Sequence, residues 1–172
     1  MKYNLSLFAT LFCLFTSTAC LAQDFEPPKN PDIHSKEGLQ ALEKDVIAAA
    51  DWLESTPIGS EQEKRQITNA FVVAWLSNTP NVSLMTRVSI LKLFDKNVEL
   101  VGVYMAGYAR YCLQNNYSKD ELMAQVAGVR SVIKCYLLGG EVKKDKTLQK
   151  LIEEEQKGGL EELIKKKMEN IK

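Results

Sequence analysis

Few residues in this sequence could serve as the general base for a serine or cysteine nucleophile. There is one histidine, His34, and it follows a proline-rich stretch. Serine and cysteine nucleophiles need a neighbouring general base, most often histidine, and zinc sites use several cysteine or histidine ligands. No Cys-x-x-Cys motif is present. The sequence therefore disfavours triad hydrolases and thiol oxidoreductases, and it predicts no metal and no cofactor.

Carboxylates leave one route to catalysis open. Hydrolysis of glycans needs two carboxyl groups that face each other across a cleft. Asp51, Glu54, Asp95 and Glu99 lie near predicted helix ends and are the candidates for such a pair. Charged residues at helix ends are more often solvated than catalytic. A carboxylate-dependent glycan hydrolase is therefore the alternative hypothesis, and the balance is against an enzyme.

Three tyrosines recur at helical spacing. Tyr104, Tyr108 and Tyr111 lie at i, i+4 and i+7, so they share one face of a predicted helix that also carries Arg110. One interpretation is an aromatic groove for a peptide or glycan, which makes these four residues the candidate ligand-binding set. The favoured interpretation is a packed stripe whose phenol groups form hydrogen bonds at the edge of the core.

Two cysteines, Cys112 and Cys135, belong to the body of the chain. An even pair in an exported protein favours a disulfide. Geometry argues against it, because Cys112 lies just before a turn near Asn116 and Cys135 lies about five helical turns after it. At about 1.5 Å per residue the two sulfurs would be roughly 20 Å apart, whereas a disulfide needs Cα atoms within about 7 Å. We predict two buried free thiols.

The first 22 residues predict an export signal. Lys2 precedes an apolar run from Leu5 to Ala19, and small residues follow at a cleavage point after Ala22. The run is too short for a membrane-spanning helix of about 20 residues, and no later stretch is apolar enough. The prediction is an exported protein of the periplasm or medium. A lipoprotein anchored at Cys20 is the alternative, although Ser17 stands where a lipobox has a leucine-like residue.

The charge balance disfavours nucleic acid as a partner. The chain has 22 Lys and Arg against 22 Asp and Glu, whereas nucleic-acid-binding domains carry a basic excess. With no catalytic constellation, the remaining hypothesis for a partner is an unidentified protein or peptide.

Helical periodicity predicts an all-α fold: a compact array of about five core helices plus two C-terminal amphipathic helices. Residues 23–34 form an extended tether, and residues 35–172 form one domain. The first predicted helix is Lys36–Glu54, capped by Ser35. The second begins at the Ser60/Glu63 capping box and runs through Ile67, Phe71 and Trp75, and the third covers Ser83–Asp95 with Leu84, Val88 and Phe94 inside. The fourth covers Val98–Asn115, the fifth runs from the Ser118/Glu121 capping box to Leu138, and two more lie within residues 143–172, hinged at Gly158-Gly159.

The motif W-L-x-x-T-P-x-x-S occurs twice, at Trp52–Ser60 and Trp75–Ser83. Tryptophan and leucine form the last apolar anchor of a helix, the residue before proline is pushed out of the helical region, and serine caps the next helix. The repeat therefore predicts two consecutive helix corners, each packed by its tryptophan.

Four segments cover much of the mature chain: AADWLESTPI, NAFVVAWLSNTPNVS, YMAGYARYCLQNNYSKDEL and AGVRSVIKCYL. Together they resemble small exported helical proteins of Bacteroidetes that have no assigned activity. The resemblance implies export and an all-α fold, and it implies no catalytic residue. The function that we predict is a non-enzymatic protein- or peptide-binding module of the cell envelope.

Overall fold

The computed structural model describes residues 25–85 and 87–169. The predicted export signal and Cys20 lie outside these residues. Within them the chain is helical with no strand, which confirms the all-α prediction, and one isolated bridge joins Ile58 to Gly140. The elements are α1 Lys36–Ala41, α2 Glu43–Ser55, α3 Gln62–Asn78, α4 Val88–Leu91, a 3-10 turn Lys92–Phe94, α5 Leu100–Gln114, α6 Glu121–Leu138, α7 Lys146–Gln156 and α8 Leu160–Glu169.

Helix α5 lies at the centre and packs against α2, α3 and α6. Its closest neighbour is α6, and small residues permit that approach. A Cβ atom on Gly128 of α6 would lie 2.7 Å from the Tyr104 carbonyl oxygen of α5, which is too close for any other residue. The predicted central position of this helix is therefore correct, and glycine contributes to it.

The first predicted helix is interrupted at Leu42, which separates α1 from α2. Ser35 caps α1 as predicted, because its hydroxyl accepts a hydrogen bond from the Gly38 N–H at 2.9 Å. The apolar stripe continues across the break. All five residues predicted to form it are buried: Leu39, Leu42, Val46, Ala50 and Leu53.

The buried face of α3 differs from the predicted one. Phe71 and Trp75 are buried, but Ile67 is 50% exposed, and Arg65 and Thr68 take the inner positions. The Arg65 guanidinium donates to the Leu53 and Thr56 carbonyl oxygens at the end of α2. A cation suits a helix C-terminus, where carbonyl groups lack partners.

The capping boxes predicted at Ser60/Glu63 and Ser118/Glu121 are wrong, and Ser83 caps no helix, because α4 follows Arg87. Helix α3 follows Glu61, which has a left-handed φ of 46° and makes no side-chain cap. At α6 the cap is Asp120, whose carboxylate accepts a hydrogen bond from the Met123 N–H at 3.0 Å. The Ser118 hydroxyl instead accepts from the Asp120 N–H at 3.2 Å.

The third predicted helix is mostly absent. Only Val88–Leu91 is α-helical, a single 3-10 turn follows, and residues 82–85 have no regular structure. Val88, which was expected inside, is 67% exposed, whereas Phe94 is buried. Side chains from α5 and α6 hold the carbonyl groups that a helix would have used, as described below.

The two C-terminal helices match the prediction, including the turn at Gly158, where φ is 76°. The Asp145 carboxylate caps α7 by accepting from the Thr147 N–H at 2.8 Å. The inner faces of both helices complete the core through Leu148, Leu151, Leu160 and Ile164, all of them buried. Only their outer faces are available to a partner.

Residues 25–34 contain no helix, but they are not a free tether. Phe25 is buried against Trp52, with ring centroids 6.4 Å apart. The predicted linker is therefore docked on the first helix corner at its described end. Among the described helices, none combines the length and hydrophobicity that crossing a membrane requires.

Candidate functional site

The tyrosine face is mainly structural. Tyr104 and Tyr108 are buried, and Tyr111 is half-buried. The Tyr104 hydroxyl bonds the Gln125 side-chain oxygen, and the Tyr108 hydroxyl donates to the Ser83 carbonyl at 3.0 Å. Burial raises the pKa of Tyr104 and raises that of Tyr108 to about 12. Two of the three candidate rings therefore pack in the core and line no open groove.

Arg110, the fourth candidate, gathers carboxylates into one cluster. Its guanidinium forms ion pairs with Asp51 and Glu54 of α2 and bonds the Ser131 hydroxyl at 3.0 Å. Lys134 contacts Glu54 from the other side at 2.9 Å. Burial alone would raise the pKa of Glu54, but hydrogen bonds from Ser131, Lys134 and Arg110 outweigh it and lower that pKa. The cluster joins α2, α5 and α6.

The four carboxylates proposed for catalysis do not meet in one place. Asp51 and Glu54 lie side by side on a shared cation rather than across a cleft. Glu99 precedes the first residue of α5, whereas Arg110 is near its end, so roughly 16 Å of helix separates them at about 1.5 Å per residue. Glu99 therefore does not complete a facing pair with Asp51 or Glu54 beside the tyrosines.

The remaining candidate groups also have structural surroundings. Cys112 and Cys135 are free and buried, and burial raises the pKa of each thiol to about 11, so both are protonated at neutral pH. Arg87 pairs with Glu121. No group of three or more potential metal ligands occurs within residues 25–85 and 87–169.

An open groove lies at the end of α3, where sequence reasoning had expected another helix. Its volume is about 440 Å³, and it runs between the last turn of α3, the extended segment that follows, and Met105 of α5. We call it the α3 groove. Its lining residues are Leu76, Ser77, Thr79, Pro80, Val82, Ser83, Leu84 and Met105.

Three side chains hold one edge of the extended segment. The Asn81 carbonyl accepts from the Lys119 ammonium at 2.7 Å. The Ser83 carbonyl accepts from the Tyr108 hydroxyl, and the Met85 carbonyl accepts from the Gln125 amide at 2.8 Å. Carbonyl groups of every second residue point the same way only in an extended chain. Alternate side chains follow the same pattern, since Val82 is buried and Met85 is exposed.

The other edge of the segment belongs to Val82 and Leu84. Within the described residues, neither main chain forms a hydrogen bond. Both residues line the α3 groove. Val82 is buried and Leu84 is half-buried, so Leu84 is the more accessible of the two residues.

The residues that line the α3 groove carry no charge, and the nearest cation is the Lys119 ammonium on the opposite edge of the segment. Residues 66–86 contain no Asp, Glu, Lys, Arg or His, although charged residues make up 26% of the chain and 21 positions would be expected to hold about five. The outer face of α3 belongs to this stretch and exposes Ile67 and Val73. Ser77 joins that face to the groove. This uncharged run was the sequence signal that could have located the site.

Comparison with known proteins adds no assignment, since no family model, curated protein or solved structure matches the chain. The resemblance to exported Bacteroidetes proteins therefore stays a prediction, and the case for a function rests on the α3 groove.

Proposed function

We propose that this protein is an exported, non-enzymatic module that binds an extended, uncharged segment of a protein partner in the α3 groove. The observation that carries the proposal is the segment 81–85, which is held extended along one edge and leaves the Leu84 main chain without an internal partner. An extended peptide can add to such an edge through main-chain hydrogen bonds.

The lining of the groove selects the chemistry of the partner. A charged side chain entering the groove would lose water without meeting an opposite charge, which is costly. Hydroxyl groups of Ser77, Thr79 and Ser83 and apolar groups of Leu76 and Met105 suit small polar and aliphatic side chains. The partner segment is therefore neutral and rich in residues that favour extended structure.

Peptide selection tests this proposal. Short random peptides displayed on phage are selected against the chain from Gln23 to Lys172, and the enriched sequences are synthesised for affinity measurement by fluorescence anisotropy. We expect neutral peptides. Leu84→Pro removes one N–H donor and should weaken their binding roughly tenfold relative to Leu84→Ala, the effect of one net hydrogen bond of about 1.4 kcal/mol.

The alanine variant is the matched control, because both substitutions remove the leucine side chain and only proline removes the N–H. Proline also favours extended backbone at the preceding residue, as in the native segment. Circular dichroism and urea unfolding establish that both variants fold. Equal affinities of the two variants for the selected peptides, or selected peptides that are uniformly charged, would refute the proposal.

Export is the second part of the proposal, and the apolar N-terminus supports it. Cleavage after Ala22 predicts that the mature protein isolated from cells has the mass of residues 23–172 without modification. Intact mass spectrometry of the exported protein measures this. A mass equal to residues 20–172 plus acyl groups would instead assign a lipid anchor at Cys20, and the uncleaved mass would contradict export.

A further inference from the structure

A second pocket lies at the opposite end of the sequence, between α7 and α8. It encloses about 260 Å³. Three leucines form its apolar side: Leu93 of the 3-10 turn, Leu151 of α7 and Leu163 of α8. This volume is below the roughly 300–1,000 Å³ of pockets that enclose drug-sized molecules, so the pocket suits a headgroup rather than a whole ligand.

The polar side of this pocket carries positive charge alone. Lys146 and Lys150 of α7, Lys167 of α8 and Thr147 line it, and no acidic residue does. None of the three lysines has an ion-pair partner among residues 25–85 and 87–169. Three ammonium groups around one cavity repel one another, and an anion bound between them would relieve that repulsion. We call this the lysine pocket.

Charge is also separated along the α7–α8 hairpin. Residues near the start of α7 and the end of α8 line the same pocket, so the two helices run antiparallel. The end that holds the pocket is basic, and the end at the Gly158 turn is acidic. The basic end carries Lys143, Lys144, Lys146, Lys150, Lys165, Lys166 and Lys167 against Asp145 and Glu169, and the acidic end carries Glu153, Glu154, Glu155, Glu161 and Glu162 against Lys157.

We propose that the lysine pocket binds the phosphate headgroup of an anionic lipid, and that the surrounding lysines dock this end of the protein on an anionic bilayer. The ammonium groups would hold the phosphate, and the leucines would contact the first methylene groups behind it. Lysines close to an anionic surface attract it electrostatically. This inference is independent of the α3 groove, which lies on other elements.

Vesicle co-sedimentation tests the proposal with the chain from Gln23 to Lys172. Vesicles of phosphatidylcholine with phosphatidylglycerol are compared with phosphatidylcholine alone. The test variant is Lys146→Gln/Lys150→Gln/Lys167→Gln. The control Lys36→Gln/Lys44→Gln/Lys157→Gln removes the same charge from exposed lysines that do not line the pocket. Octyl phosphate and inorganic phosphate are titrated separately by NMR.

We expect binding to the anionic vesicles and to octyl phosphate, and much weaker binding to inorganic phosphate. At about 1 kcal/mol per lysine near the surface, the pocket variant should lose roughly 100-fold in vesicle affinity. The control should lose less than about threefold, because charges beyond a Debye length of about 10 Å are screened. Thermal unfolding should show both variants folded.

Several results would overturn the proposal. Equal losses in the two variants would show attraction by net charge without a pocket. Equal affinities for octyl phosphate and inorganic phosphate would show that the leucines contribute nothing. Binding of octyl phosphate without vesicle binding would assign a free anion as the ligand, and absence of both would leave the pocket without this function.

Discussion

Trp75→Ala should destabilise the protein by about 3–5 kcal/mol, the usual cost of removing a buried tryptophan. Trp75 is fully buried, and its indole N–H donates to the Leu39 carbonyl oxygen at 2.9 Å. That bond ties the last turn of α3 to α1. The substitution therefore creates a cavity and also leaves a buried carbonyl without its donor. Urea unfolding at neutral pH, followed by circular dichroism, measures the effect.

Two further variants separate the causes. Trp75→Phe keeps much of the ring volume and loses the hydrogen bond, so it should cost less than the alanine substitution. Trp52→Ala tests the other copy of the motif. Trp52 is buried among Phe25, Lys64 and Arg65 at the edge of the core, with the Lys64 ammonium 5.1 Å from the ring centroid. We expect Trp52→Ala to cost less than Trp75→Ala. An unchanged unfolding midpoint for Trp75→Ala would reopen a binding role for the motif.

The repeated motif predicts where two helices end, but it does not predict which side chains bond the main chain there. Both copies end a helix, as predicted, because Thr56 and Thr79 are extended C-cap residues before proline. The two corners differ in the side chains that bond their free carbonyl groups. Arg65 bonds the carbonyl groups of the first corner, and Lys119 bonds the Asn81 carbonyl after the second. These partners lie at different distances along the chain, so no local pattern could have predicted them.

The same limit explains the errors in α3 and in the third predicted helix. The helical periodicity predicts that Ile67 is buried and Arg65 exposed. Arg65 is buried instead, because its guanidinium bonds the free carbonyl groups at the end of α2. Residues 83–85 have apolar spacing, but hydrogen bonds from Tyr108 and Gln125 hold their carbonyl groups in an extended segment. Side-chain competition for main-chain groups outweighed local propensity at both places.

The α3 groove was missed for that reason, since it exists only because the segment after Pro80 is not helical. By contrast, the bounds of α6 were predicted well because Gly139 stops it, and α7 and α8 were predicted well because strong amphipathic periodicity agrees with the glycine turn between them. The favoured interpretation of the tyrosines was a packed stripe with hydrogen-bonded phenol groups, and Tyr104 and Tyr108 are buried and bonded in that way. Their burial follows from the central position of α5 between α2, α3 and α6.

Arg110→Met should destabilise the protein by about 2–3 kcal/mol at neutral pH. This lies below the 3–5 kcal/mol typical of a fully buried ion pair, because the Arg110 side chain is 17% exposed and Asp51 is 48% exposed. The loss arises because Glu54 keeps its burial and loses one of its two cations, while Asp51 loses its ion pair. Urea unfolding measures it, with Arg130→Met as the control. The Arg130–Glu155 pair is more exposed, so the control should cost less than about 1 kcal/mol.

The effect of Arg110→Met depends on pH, and its sign follows from Glu54. In the native protein the pKa of Glu54 is lowered from 4.5, so its stabilising contribution is present above that value and is lost as the pH falls through the folded pKa. In the variant, the hydrogen bond and the charge of Arg110 no longer lower the pKa of Glu54, so acid weakens the variant less at this group. The difference in unfolding free energy should therefore shrink as the pH falls below about 4.5 towards the folded pKa. Adding Glu54→Gln to the variant should remove most of this pH dependence. A difference that stays constant as the pH falls from neutral to about 3, well below the usual pKa of a glutamate, would show that Arg110 acts through packing rather than charge.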